Sequence, residues 1–239
     1  GLLALFFSKG GLAFVGTTTS YYSDAGDPGT TSVDGWSRRG GVNEVWGTIR
    51  GGAGNGLFNS TTSHIVLFLA SATTNQWAEI DRARFGFDTS AIGDTDTISS
   101  ATCNIYGGSD AGADPQSNLP NVNVYGSTNF GSNTALANAD YENRGTVAWC
   151  DTPIAKSGWS TAGYNAFAFN ATGLSGVNKT GVTNISALNA NYDVANVAPT
   201  WSSGQYTYFD CFFADNTGTT SDPYLSVTYS AIVAIKSIP

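Results

Sequence analysis

The sequence predicts an all-β protein, an antiparallel two-sheet sandwich preceded by an N-terminal extended arm. Short apolar runs recur along its 239 residues with turn residues between them, as in sandwiches and barrels. Several runs alternate apolar and polar residues with the period of a half-buried strand. Only 12% of the residues are charged, so the surface must be covered mainly by small polar side chains, which favours β-structure with many turns.

The clearest strand pair lies at 84–92 and 94–102. Phe85 and Phe87 are expected to point to one side while Arg84 and Gly86 point to the other, and the glycine and aspartates of 93–96 end the first strand. The full set of predicted strands is 44–50, 64–70, 79–88, 98–106, 121–126, 145–150, 164–170, 181–188, 206–214 and 223–230. Residues 107–120 are predicted to form a long surface loop, and a helical turn is expected within 171–180.

The run 206–213 is largely apolar on both faces, which predicts a central strand covered on both sides. Asp210 would then be a buried or half-buried carboxylate that needs a partner, either an arginine or backbone donors. Arg82 and Arg84, which project together from another predicted strand, are the expected candidates.

The chain divides into three segments by composition. Residues 1–33 form an apolar arm with a polar connector, 34–230 form the sandwich, and 231–239 form a C-terminal tail. The arm could dock on a neighbouring molecule or add an edge strand to its own sandwich, and the two alternatives are evenly weighted. Its candidate assembly residues are Leu2, Leu3, Leu5, Phe6, Phe7 and Phe14. The apolar run 2–7 is too short to span a membrane, so no membrane partner is expected.

Charge and cysteine usage narrow the function classes. Ten basic and eighteen acidic residues give a net charge of -8, which disfavours nucleic acid as a partner. Cys103, Cys150 and Cys211 each lie in an apolar run and are predicted to be buried free thiols. With one histidine and no paired-cysteine motif, a zinc site of the usual kind is excluded.

No catalytic residue is predicted. His64 is the only histidine, and no serine has the surroundings of a nucleophile elbow. Glu79 and Asp81 share one strand face, but they are expected to balance the charge of Arg82 or Arg84 rather than to hydrolyse a glycosidic bond.

Two kinds of binding site remain as weaker candidates. Trp77, Trp159 and Trp201 lie in predicted loops and could stack on a glycan, although capping of the sandwich edge is the more common role of such residues. Calcium is the one candidate cofactor, because aspartates in turns offer oxygen ligands, although aspartate is favoured in turns for other reasons. The candidate calcium ligands are Asp94, Asp96, Asp110 and Asp114.

Several segments carry a resemblance to known families. Residues 84–106 resemble the paired strands of the bacterial sandwich modules called DNRLRE domains, in which an Arg-x-x-Phe-Asp strand and a turn precede an Ile-x-Ser-Ala-x-Leu-x-Leu-Tyr strand. The run 222–229 looks like the closing strand of that group. Segments 41–54, 189–195 and 199–204 are similar to virion structural proteins of tailed bacteriophages.

The resemblance implies a sandwich of jelly-roll type and a non-enzymatic role on a phage particle, as a capsid decoration, head-fibre or tail-associated protein. It would be assembled in the host cytoplasm and located in the virion, with other virion proteins as partners and a trimer as the oligomer expected by analogy. The arm would anchor it and the sandwich would face outward. The alternative is a carbohydrate-binding module for host-surface or extracellular glycans, which would place the protein outside the cell.

Overall fold

Two antiparallel β-sheets pack face to face in the computed structural model, which describes residues 12–59, 63–108, 113–128 and 130–234. This confirms the predicted all-β two-sheet sandwich. The smaller sheet, sheet A, has four strands, given in their order across the sheet: β1 (Leu12–Tyr22), β12 (Tyr224–Ala234), β6 (Thr97–Tyr106) and β9 (Tyr164–Ala168).

The larger sheet, sheet B, is organised around one long strand. Its members are β2 (Asp34–Glu44), β3 (Gly56–Phe58), β4 (Ser63–Ala70), β5 (Trp77–Asp88), β7 (Asn121–Gly126), β8 (Ile154–Ala155), β10 (Val182–Asn189) and β11 (Tyr206–Cys211). Strand β5 pairs with β4 along its first half and with β10 along its second half, while β2 follows most of its length. Every pairing is antiparallel.

The main core lies between the two sheets. Phe85 and Phe87 of β5 contribute to it from sheet B, and Phe167 and Val227 contribute from sheet A; none of the four is exposed. Their alternation with outward-facing neighbours is the period that the sequence showed. The predicted buried free thiols are confirmed for all three cysteines, Cys103, Cys150 and Cys211.

A layer of short helical segments covers the outer face of sheet B. It consists of α1 (Trp46–Gly51), a 3-10 turn at Asn138–Tyr141 and a π-helical turn at Ala190–Val194. A second apolar cluster fills the space beneath this outer layer, formed by Trp46, Ile49, Phe68, Trp77, Ile80 and Tyr141. A further helix, α2 (Ala171–Gly176), confirms the helical turn expected within 171–180, and Asn170 caps its first turn.

Two of the predicted strands are wrong. Most of the predicted strand 44–50 is helical: its residues 46–50, together with Gly51, form α1. Trp46 and Ile49 are three positions apart, so they reach the same apolar cluster from one face of the helix. The run 145–150 makes only isolated bridges, Tyr125 to Ala148 and Cys150 to Phe169. Among the described strands, three were not predicted: β2, β3 and β8.

The predicted segment boundaries also change at both ends. Strand β1 places 12–22 in the sandwich, so the edge-strand alternative holds for this part of the arm, and the connector to β2 starts after Tyr22. Strand β12 runs to Ala234, beyond the expected start of the tail at 231. Phe14 lies in β1, whereas the other candidate arm residues lie outside the described residues: Leu2, Leu3, Leu5, Phe6 and Phe7.

None of the helices in the described ranges has the length and apolar character that crossing a bilayer requires.

Candidate functional site

The outer face of β5 carries two arginines that have no exposed surface. Arg82 donates to both carboxylate oxygens of Asp193, from Nε at 2.6 Å and from Nη2 at 2.7 Å. It also donates to the carbonyl oxygens of Tyr141 at 2.6 Å and Arg50 at 2.8 Å. Burial disfavours the charged form of both side chains, but the attraction between Arg82 and Asp193 has the larger effect. The pKa of Arg82 is therefore raised and the pKa of Asp193 is lowered. Arg82 therefore connects all three segments of the outer layer to sheet B, one through the ion pair and two through hydrogen bonds.

Arg84 is saturated by neutral oxygens. It donates to the Asn143 carbonyl at 3.2 Å, to Ser127 Oγ at 3.3 Å, and to Ser186 Oγ and the Asp140 carbonyl. Burial, reinforced by the charge of Arg82, lowers the pKa of this guanidinium to about 9, so it stays charged at neutral pH.

The two arginines do not have the partners that the sequence suggested. The predicted balance of Glu79 by Arg82 or Arg84 is wrong, because Glu79 pairs with Arg38 at 3.3 Å. Arg82 is bound by Asp193 instead of Asp210. The main-chain carbonyl of Asp210 accepts the indole N–H of Trp159 at 3.0 Å. We assign the arginines a structural role, since their donors are used within the fold.

The candidate glycan-binding tryptophans do not form an exposed platform. Trp77 is 4% exposed in the second cluster, and Trp159 is 6% exposed with its ring edge-on to Phe209 at 5.3 Å. The expectation of loop-borne stacking surfaces is wrong for these two rings, because both fill the interior. Trp201 is half-buried against the second cluster, and its buried indole nitrogen has no hydrogen-bond partner in the described part of the chain.

The candidate calcium ligands are used by their own turns where the structure describes them. Asp114 accepts the backbone N–H groups of Asn118 at 2.9 Å and Leu119 at 2.8 Å. Asp96 accepts the N–H of Gly93 at 3.1 Å. Asp94 is exposed, Asp110 lies outside the described residues, and the described ranges contain no cluster of three or more metal-ligating side chains. Turn stabilisation accounts for Asp96 and Asp114.

Three other carboxyl groups, none of them a candidate from the sequence, lie near one another: Asp34 and Asp222 are buried, and Asp215 is half-buried. Asp34 accepts the Ala214 N–H at 2.9 Å with Oδ2, and Asp215 accepts the Gly26 N–H at 2.6 Å with Oδ1. The second oxygen of each, and Oδ1 of Asp222, have no hydrogen-bond partner among the described residues. Burial raises the pKa of each of the three carboxyl groups, and the charges of Asp215 and Asp222 add to the effect on Asp34.

Four tyrosines form a row across the outward face of sheet A, one from each strand. Tyr22 of β1 lies opposite Tyr224 of β12, and Tyr106 of β6 lies opposite Tyr164 of β9. The ring centroids are 5.4 Å apart for Tyr22 and Tyr224, 4.9 Å for Tyr224 and Tyr164, and 5.0 Å for Tyr164 and Tyr106. Tyr22 is 48% exposed. We call this set the tyrosine row.

The rest of that face is flat and uncharged. In residues 16–22 of β1, 224–230 of β12, 97–106 of β6 and 164–168 of β9, the outward positions hold tyrosine and small residues, among them Thr18, Ser20, Thr102, Ala166, Ala168, Ser226 and Thr228. Asn104 also lies on this side of the sheet but is buried. We call the small residues the polar floor. No outward position on these segments carries a charge, although the chain has a net charge of -8.

At the other end of sheet A, β1 and β12 continue past β6. The pairing of β12 with β6 reaches Ser230 opposite Thr97, while its pairing with β1 continues to Ala234 opposite Leu12. Residues 12–15 (LAFV) and 231–234 (AIVA) therefore form a two-stranded ribbon in which every residue is apolar. We call it the chain-end ribbon.

No protein-family model matches this chain, and no curated protein shows a significant match to it.

Proposed function

We propose that this protein is a non-enzymatic structural protein that assembles into a larger particle through the chain-end ribbon. The observation that carries the proposal is the composition of the ribbon, in which every position of the two paired strands holds an apolar residue. In the backbone register, Phe14 lies opposite Ile232 and Val15 lies opposite Ala231. Strands that are apolar on both faces are typical of positions covered on both sides.

A ribbon of this kind needs a covering surface. Two antiparallel strands alone are marginally stable in water, and an exposed apolar edge favours association with another chain. The apolar residues continue in the sequence before the ribbon, at Leu2, Leu3, Leu5, Phe6 and Phe7, and after it, at Ile235 and Ile238. Both ends of the sequence are thus rich in apolar residues. Burial of the ribbon against a neighbouring subunit would anchor the sandwich.

The proposed particle is a phage virion. The similarity of segments 41–54, 189–195 and 199–204 to virion proteins supports this context, as does a surface covered mainly by small polar residues. The capsid-decoration, head-fibre and tail-associated positions all fit a sandwich anchored at one end.

The test replaces one cross-strand pair of the ribbon. The double substitution Phe14→Ser and Ile232→Ser is designed to keep the backbone pairing while it replaces the two large apolar residues of one cross-strand pair by small polar ones. We expect incorporation into particles, measured by quantitative mass spectrometry after density purification, to fall by about tenfold or more, because each large apolar side chain contributes about 1.5–3 kcal/mol when buried.

The matched control is the double substitution Val147→Ser and Val197→Ser, which removes apolar side chains that are 61% and 52% exposed elsewhere on the surface. It should incorporate like the unmodified protein. Circular dichroism of both variants verifies the sandwich. Normal incorporation of a folded ribbon variant would contradict the proposal.

A further inference from the structure

We propose that the outward face of sheet A binds a neutral polysaccharide, with the tyrosine row packing against sugar rings and the polar floor bonding their hydroxyl groups. This inference adds a recognition site to the proposed assembly function and involves a different set of residues. It also places the glycan contact on a surface that none of the sequence candidates belongs to.

The tyrosine row is held in place before any ligand binds. Tyr164 donates its hydroxyl to the carbonyl oxygens of Thr220 at 3.0 Å and Asp222 at 3.1 Å. Its ring meets those of Tyr106 and Tyr224 edge-on, at 84° and 79°. Tyr22 and Tyr224 are inclined by only 37°, and Tyr22 is half exposed. A preorganised aromatic surface avoids the entropy cost of ordering side chains on binding.

The chemistry of the face selects a neutral ligand. An aromatic ring offers an apolar surface to the C–H side of a sugar, and a tyrosine hydroxyl adds a polar tip. Thr18, Ser20 and Thr228 supply further hydroxyl groups, of which those of Thr18 and Thr228 are hydrogen-bonded to each other at 2.9 Å. A hydroxyl group both donates and accepts, so each of the two keeps capacity for a sugar hydroxyl. A charged polymer would find no opposite charge on this face. Tyrosine with small polar residues is also the composition that antibody binding loops use for adaptable recognition.

The floor continues over the free edge of sheet A into an open groove of about 440 Å³. Ala166 and Ala168 of β9 belong to both the floor and the groove, and Asp151 and Thr152 line the opposite side. The methyl side chains leave the approach unobstructed. A chain of several sugar units could therefore lie on the face and reach hydrogen-bonding groups beyond its edge.

The test is affinity electrophoresis of the full chain in native gels that contain one soluble polysaccharide each. The neutral probes are dextran, galactomannan, arabinoxylan and mixed-linkage β-glucan, and the charged probe is polygalacturonate. We expect at least one neutral probe to retard the protein and polygalacturonate to leave its mobility unchanged. Tyr22→Ala should raise the dissociation constant for the retarding probe about fivefold or more, whereas Tyr22→Phe should retain most of the binding.

The matched control is Tyr206→Ala, which removes a tyrosine that is 46% exposed on β11 of sheet B. It should bind like the unmodified protein. The ribbon variant with Phe14→Ser and Ile232→Ser should also bind, so loss of assembly and loss of sugar binding are distinguishable.

Three results would overturn the inference. One is the absence of retardation by all four neutral probes. Another is an equal effect of Tyr22→Ala and Tyr206→Ala. The third is a concentration-dependent dimer, seen by light scattering, that Tyr22→Ala dissociates, because the row would then be an interface between two copies.

Discussion

Buried aspartates in this protein are of two kinds: one is paired with an arginine, and others have carboxylate oxygens without a partner among the described residues. Asp193 has a two-pronged partner in Arg82, which keeps its pKa low despite burial. Asp34 and Asp81 are buried as deeply and have unpartnered oxygens, and burial raises the pKa of both well above the usual value. The first arrangement stabilises a charged pair, whereas the second favours a protonated carboxyl group.

The raised pKa of Asp34 has a direct consequence for stability. Because the native carboxyl group holds its proton to higher pH than the unfolded one, the native state binds more protons between about pH 4 and the raised pKa. The free energy of unfolding should therefore rise as the pH falls through the raised pKa of Asp34 toward about 4. Below about pH 4 the slope should reverse, since the pKa of Asp193 is lowered and its protonation breaks the pair with Arg82.

Asp34→Asn tests this expectation by urea unfolding at several pH values. Asparagine keeps an acceptor for the Ala214 N–H but cannot titrate. The variant should therefore show a flatter rise in stability as the pH falls toward about 4 than the unmodified protein. Identical slopes for the two proteins would show that Asp34 titrates in the native state as it does in the unfolded chain.

At the scale of elements, the outer layer depends on one side chain. Arg82 joins α1, the 138–141 turn and the 190–194 turn through four hydrogen bonds. Arg82→Met removes them and leaves Asp193 buried with a weaker set of partners, so we expect a loss of about 3–5 kcal/mol in the free energy of unfolding. Hydrogen exchange should increase in the outer layer more than in sheet A.

The matched control is Arg38→Met. Arg38 also pairs with a carboxylate, Glu79, but its side chain is 34% exposed. Partly exposed ion pairs contribute about 0–1 kcal/mol, so this variant should be only slightly destabilised. Equal losses for Arg38→Met and Arg82→Met would contradict the role assigned to Arg82.

The sequence predicts some of these elements well and others poorly, for identifiable reasons. Strands β5 and β6 are recognisable because Phe85, Phe87, Cys103 and Ile105 alternate with outward-facing residues. The segment that forms α1 has too few apolar residues to distinguish a helical period from a strand period. Strand β1 is hard to recognise because its sequence changes from apolar to threonine-rich residues. Its partner β12 is also some 210 positions away, as the contact of Thr18 with Thr228 shows, so no local pattern indicates the pairing.

For the whole molecule, the candidate sites depend on topology more than on local pattern. The members of the tyrosine row lie at 22, 106, 164 and 224, and only the strand order of sheet A brings them together. No short motif could have identified them. The prediction that Trp77 and Trp159 lie exposed in loops was wrong because it relied on their polar neighbours in the sequence. The fold buries both rings.

The two proposed surfaces lie at opposite ends of the same strands. Leu12 begins β1 in the ribbon and Tyr22 ends it in the tyrosine row, a separation of about 33 Å for ten residues of strand. A protein anchored by its ribbon would therefore present its tyrosines away from the anchoring surface. The proposed assembly and the proposed glycan recognition would therefore be compatible in one sandwich, and we expect the variants above to remove each without the other.

Quantitative mass spectrometry of density-purified phage particles, with the number of copies per particle, is the measurement to make first. Assembly as a structural protein predicts a reproducible number of copies per particle that remains after washing in high salt, because the anchoring surface is apolar rather than charged. Absence from the particles, with the intact protein free in the medium, would contradict a structural role in the virion.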